Sequence, residues 1–185
     1  MPRGIRGVRG RTVYIIEKGK ELAEKYGIPA DVKDICREEG ILLLEYPMGN
    51  EPEDCKGFLI KSSGKVAITV SADLSSEMRG IVCFHELGHY FLHVQTGLME
   101  AVHDETVYDR VSEAELEANM LAAELQLSDD AVVETLRECG DFFSAAAALS
   151  VPPELLDFKM RLMRHKGYSL PDAPLSSDSG YLARG

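Results

Sequence analysis

No apolar run in this chain approaches the roughly 20 residues that a membrane-spanning helix requires, so no transmembrane segment is expected. Basic residues are outnumbered: 20 lysines and arginines stand against 31 aspartates and glutamates, a net charge of −11. That balance argues against a surface built as a whole for nucleic acid or anionic lipid, and leaves room for a basic protein partner. Cysteine is sparse. Cys36, Cys55, Cys83 and Cys139 form no CxxC pair and no dense disulfide pattern, so free thiols in a reducing compartment are expected. The N-terminal stretch MPRGIRGVRGR is basic but no apolar h-region follows it, so no secretory signal is expected and a cytoplasmic protein is. No internal repeat is visible.

What is present suits a folded domain with a short appendage: 185 residues, 45% hydrophobic and 28% charged. Residues 14–26 carry apolar side chains at helical spacing and stop at Gly27; residues 30–39 form a second short helix closed by Gly40. The period then changes. Residues 41–48, ILLLEYPM, read as a buried strand, and GFLIKS and KVAITVS read as a hairpin turning at Ser63-Gly64. In the second arm Val66, Ile68 and Val70 alternate with Ala67, Thr69 and Ser71, which predicts one buried face. Helices return at residues 76–95, 112–127, 129–138, 142–149 and 153–166, with an acidic loop or broken helix over 98–111. Two helices, a small three-stranded sheet and helices again give an α+β fold.

The chemistry concentrates in CFHELGHYFLH, residues 83–93. His85 and His89 lie one helical turn apart on a stripe shared with Met78, Val82 and Leu92, so both rings face inward. Two buried imidazoles without partners would cost several kcal/mol in total, and a metal removes that cost. Zinc, bound by imidazole nitrogens, fits the spacing. Glu86 lies about 100° around the helix from His85, beside such an ion, where it can take a proton from the attacking water. This is the H-E-x-x-H arrangement. His93 sits about 12 Å along the axis from His85, too far to share the ion, and is read as a supporting histidine.

A third protein ligand is needed. The metzincin extension is missing, because its glycine and histidine positions hold Leu92 and Gln95. Cys55 is conceivable, as in peptide deformylases, but the glycine-rich signatures of those enzymes are missing too. The helix SEAELEANMLAAEL is the better source: Glu115 as ligand, with Asn119 one turn on to hydrogen-bond a ligand from behind. Against this, Ser112 and Glu115 also fit a capping box, with Val111 and Leu116 as its hydrophobic staple. Glu113 and Glu117 are rival ligands, and sequence physics alone leaves the choice open.

MRGIVCFHELGHYFLH followed some 25 residues later by EAELEANMLAAEL resembles the ImmA/IrrE family of zinc metallopeptidases, over roughly residues 30–127. The resemblance implies a zincin-like fold with one zinc per chain, Glu86 as the catalytic base and Glu115 as third ligand beside His85 and His89. The expected organisation is a flexible basic arm (1–10), a zincin-like metallopeptidase domain (11–139), a helix-turn-helix-like helical pair (140–168) and a tail whose Ser, Pro and Gly content predicts disorder (169–185). The resemblance also implies site-specific endopeptidase action on a helix-turn-helix transcriptional repressor, relieving repression of a mobile element or a stress response. The alternative is a zincin-fold regulator that binds the repressor without cutting it; a general peptidase acting on unfolded chains is a third reading. Tyr90, His103 and Tyr108 are candidate oxyanion donors. Residues 66–71 are a candidate edge for an extended substrate. Lys159, Arg161, Arg164 and Lys166 of the helical pair suggest DNA contact, but packing beside the cleft is favoured and direct DNA binding is not expected. The residues after Gly167 leave no room for the sensor domain of longer relatives, so a signal is expected to act through a partner, the chain ends or the substrate. Mn²⁺, Co²⁺ or Fe²⁺ can occupy such ligands in place of zinc. Either a monomer or a dimer is compatible with the sequence.

Overall fold

The computed structural model describes residues 4–51, 53–97 and 107–175, with the backbone alone for residues 4–9 and 107–112. Its order is α1 (Gly4–Tyr26), α2 (Val32–Glu39), β1 (Ile41–Tyr46), β2 (Gly57–Ser62), β3 (Lys65–Ser71), α3 (Ser76–His89), a π-helical turn (Tyr90–Val94), α4 (Val107–Gln126), α5 (Asp129–Cys139), α6 (Phe142–Ala148) and α7 (Pro153–His165). This is the expected α+β, zincin-like architecture. Helix α1 starts at Gly4, so the segment expected to be a flexible arm is helical from there. Arginine is a good helix former, and Arg11 is held by Glu113 and Glu117 of α4.

Helix α2 is bounded by local chemistry. The Asp31 side chain accepts from the backbone N–H groups of Lys33 and Asp34, and Gly40 stops the helix at φ 68°. Strand β1 leaves at once and pairs parallel with β3, while β2 and β3 form the hairpin, so the order is β1-β3-β2. Two expectations change here. Strand β3 is central rather than an edge, and β2 is the outer strand beside it. Strand β1 is half-covered rather than buried: Leu42, Leu44 and Tyr46 are 58%, 43% and 67% exposed. Register puts them on the same sheet face as Phe58 and Ile60, which are also exposed. The opposite face, through Leu43, Ile68 and Leu59, joins the main core formed with α1, α2, α3 and α4. At the far end of β3 the second face is covered as well: Ser71 is buried and its hydroxyl donates to the Gly49 carbonyl at 2.7 Å.

The C-terminal helices are not an appendage. Leu155, Phe158 and Leu162 of α7 belong to the main core, while Leu156, Met160 and Met163 belong to a second core with Val132, Phe142, Ala145 and Ala146. One helix serves both cores, so the boundary expected after residue 139 does not divide the packing. Leu170, Ala173 and Leu175 also lie against the second core, so the described part of the expected disordered tail is packed. The remainder, residues 176–185, lies outside the described residues. Among the described residues, no helix is long and apolar enough to cross a membrane.

Candidate metal centre

Helix α3 begins where the Ser75 hydroxyl accepts from the Met78 N–H at 3.2 Å, and residues 81 to 88 are all buried. Its neighbour is α4, whose Ala118, Ala122 and Ala123 are fully buried. The two helices meet at small residues: a Cβ built on Gly88 would lie 2.6 Å from the Ala118 carbonyl oxygen and 2.8 Å from its Cα. The glycine inside H-E-L-G-H is therefore a close-approach position. Backbone contact at Ala118 brings Glu115, one turn before it, and Asn119, just after it, onto the two histidines.

His85 Nε2 and His89 Nε2 are 3.1 Å apart, and each is 3.2 Å from a Glu115 carboxylate oxygen. Among the described residues these three form a group that can hold a metal ion. Tetrahedral zinc at about 2.0–2.1 Å from each ligand requires ligand separations of about 3.3–3.4 Å. The two Nε2 atoms are within a few tenths of an ångström of that, and each faces its own Glu115 oxygen at 3.2 Å, so the donor set suits an ion. The tautomer also fits. The Asn119 Oδ1, fully buried and able only to accept, lies 2.9 Å from His85 Nδ1, which therefore donates and leaves Nε2 its lone pair.

Burial sets the charges. Glu115 would be raised by burial, but in the absence of an ion hydrogen bonds from His85 and His89 protonated at Nε2 outweigh this and hold its carboxyl down at about 2. An ion takes the place of those protons on the two Nε2 atoms. Burial lowers His89, favouring the neutral imidazole that a metal needs. Burial pushes Glu86 up to about 7, with His85 opposing and the Glu115 charge adding to the rise. Glu86 is 7% exposed and abuts the start of β2, where a Cβ on Gly57 would collide with Val82 and lie 3.7 Å from Glu86 Oε1. A carboxyl poised near neutrality beside a metal triad suits proton transfer.

The other candidates are placed as follows. Glu113 is half-exposed beside Arg11, and Glu117 pairs with His93 and Arg11, so neither rival glutamate joins the triad. Ser112 falls inside α4, which begins at Val107, so the capping-box reading of Ser112 and Glu115 is overturned. Cys55 is exposed, and its thiol reaches the Gly57 carbonyl at 3.6 Å. Tyr90 donates its hydroxyl to Glu39 at 3.3 Å and packs in the main core, turned away as an oxyanion donor. His103 lies outside the described residues, as does the side chain of Tyr108. Two features escaped the sequence reading. Gly57 is one; the other is the partner of His93, whose only sequence trace was the His89–His93 spacing of one turn.

Paired histidines on one helix, a carboxylate from the next and a buried glutamate beside them are a donor set and an acid–base group suited to metal-dependent hydrolysis. Residues 36–161 match the IrrE N-terminal-like domain, and the chain belongs to that family. It is also 29% identical over 134 residues to Metallopeptidase ImmA of Bacillus subtilis (strain 168), an alignment covering 70% of this chain and 75% of that protein. The molecule is a metallopeptidase of the ImmA/IrrE group.

Proposed function

We propose that this chain is a zinc-dependent site-specific endopeptidase of the cytoplasm, whose substrate is a helix-turn-helix transcriptional repressor. The observation that carries the reading is the Glu86 carboxyl, buried beside the His85–His89–Glu115 triangle and held near neutrality. The substrate class rests on the family resemblance, and the compartment on four unpaired cysteines.

In this reading His85 and His89 hold the ion through Nε2 and Glu115 through its carboxylate. Zinc bound there supplies Lewis acidity toward the scissile carbonyl and acidifies the attacking water. Glu86 takes the proton from that water and passes it to the leaving amine. Asn119 keeps His85 in the right tautomer. The outer strand β2 offers an unpaired edge among the described residues, and its Gly57 end lies next to Glu86, so an extended peptide pairing along it is led toward the triad.

The test is incubation of zinc-loaded protein with the repressor encoded beside its gene, read by intact-mass spectrometry, with Glu86→Gln in parallel. One new pair of fragments with the wild type alone is expected. An uncut repressor that co-purifies with both proteins would instead favour a regulator that binds without cutting.

A further inference from the structure

Behind the metal triangle runs a line of side chains that the peptidase reaction does not itself use. His89 Nδ1 lies 3.2 Å from His93 Nδ1, His93 Nε2 lies 3.1 Å from Glu117 Oε2, and the other oxygen of Glu117 takes Arg11 of α1. The inner part of the line is covered: the His93 and Glu117 side chains are 6% and 12% exposed. Arg11, at 52%, closes its outer end in solvent.

We propose that His93 and Glu117 are positioning residues that lock the tautomer of His89 and thereby set the affinity of the site for its metal. The proposal rests on the metal-site reading of His85, His89 and Glu115.

The argument is donor and acceptor accounting. A carboxylate oxygen only accepts, so His93 Nε2 carries the hydrogen that reaches Glu117. A neutral imidazole with hydrogen on Nε2 has a bare Nδ1, which can only accept. With His89 Nε2 given to an ion, the hydrogen of the neutral His89 ring is on Nδ1. A neutral His93 then satisfies the contact in one way, with His89 Nδ1 donating. A neutral His89 with hydrogen on Nδ1 has its lone pair on Nε2, the atom 3.1 Å from His85 Nε2 and 3.2 Å from Glu115. The opposite tautomer would put a hydrogen into the triangle and close it to an ion. Helix α4 therefore supplies three functions within five residues: Glu115 to the ion, Asn119 to His85 directly, and Glu117 to His89 through His93. The π-helical turn that carries His93, with Gln95 N–H donating to the Tyr90 carbonyl at 2.9 Å, sets the two rings 5.2 Å apart between centroids and tilted by 49°. The bland alternative is an ion pair that merely ties this turn to α4.

The test uses the full-length chain and measures zinc affinity by chelator competition, alongside thermal unfolding of the chelator-stripped protein. His93→Leu is expected to weaken zinc binding about 10–100-fold, the cost typical of losing a partner behind a ligand. His93→Gln, whose amide can accept from His89 and donate to Glu117, is expected to restore most of that loss. Glu117→Leu, which leaves the π-helical turn untouched, is expected to weaken binding in the same direction and serves if His93→Leu does not fold. Imidazole nitrogen shifts of the stripped protein are expected to show hydrogen on His89 Nδ1 in the wild type and a tautomer mixture in His93→Leu. Unchanged zinc affinity in His93→Leu and Glu117→Leu, or equal losses in His93→Leu and His93→Gln, would overturn the relay and leave only packing. A wild type that takes up no zinc would overturn the metal-site reading itself, and the relay with it.

Discussion

Gly88 of α3 faces the backbone of Ala118 of α4 so closely that an added methyl would stand 2.6 Å from the Ala118 carbonyl oxygen. This contact sets the spacing at which Glu115 meets the two histidines. Gly88→Ala is expected to push the helices apart, destabilising the fold by about 1–3 kcal/mol through overpacking. Zinc affinity should fall together with stability, because Glu115 and Asn119 flank the point of contact. Chelator competition with the folded variant checks this. Full zinc affinity in Gly88→Ala would mean that another contact fixes the triangle.

Much of this site was legible because its first half is local. His85, Glu86 and His89 are bound together by helix geometry alone, which sequence spacing records. The third ligand is a contact between two helices; spacing within α4 pointed to Glu115 through Asn119 one turn on, but left Glu113 and Glu117 as rivals and a capping box as the competing explanation. The missing information was the Gly88–Ala118 approach, which no periodicity in either helix reveals. The sheet failed in a similar way. ILLLEY reads as buried because an apolar run does not say which face is covered, and strand order depends on which distant segments pair. The capping box at Ser112 failed because S-x-x-E patterns also occur inside helices.

The pH response of the metal-free protein follows from Glu86. Its ordinary value near 4.5 rises to about 7 in the folded state. The native protein then holds more protons than the unfolded chain across that interval, so the contribution of Glu86 to stability is present at low pH and is lost as pH rises through about 7. Glu115, held down at about 2, acts in the opposite sense and in a lower window, below its ordinary 4.5. His89 is lowered by burial and also acts oppositely, so the comparison must be with Glu86→Gln, which retains both of these groups. In urea unfolding with chelator present, Glu86→Gln is expected to gain stability over the wild type on going from pH 5 to pH 8. A difference independent of pH would show that the Glu86 carboxyl is not raised.

Lys159 lies where the two cores served by α7 meet. At about 100° per residue, the Leu155–Phe158–Leu162 stripe and the Leu156–Met160–Met163 stripe lie on either side of position 159. Lys159, one of the four basic residues that suggested DNA contact, is therefore fully buried, its ammonium 2.9 Å from Glu124 Oε2 and 2.6 Å from Asp129 Oδ1. Lys166 also reaches Glu124 and Asp129, so α7 is pinned to α4 and α5 by charge where its two cores meet. Removing one member of such a group leaves an uncompensated charge, so Lys159→Met alone should cost about 3–5 kcal/mol, less whatever Lys166 recovers. Lys159→Met with Glu124→Leu removes both buried charges, and should be more stable than the single variant, as buried pairs replaced by apolar side chains commonly are. Urea unfolding of the two variants and the wild type decides it. A single variant as stable as the wild type would mean that the ion group contributes nothing to holding α7, and that the two apolar stripes do so alone.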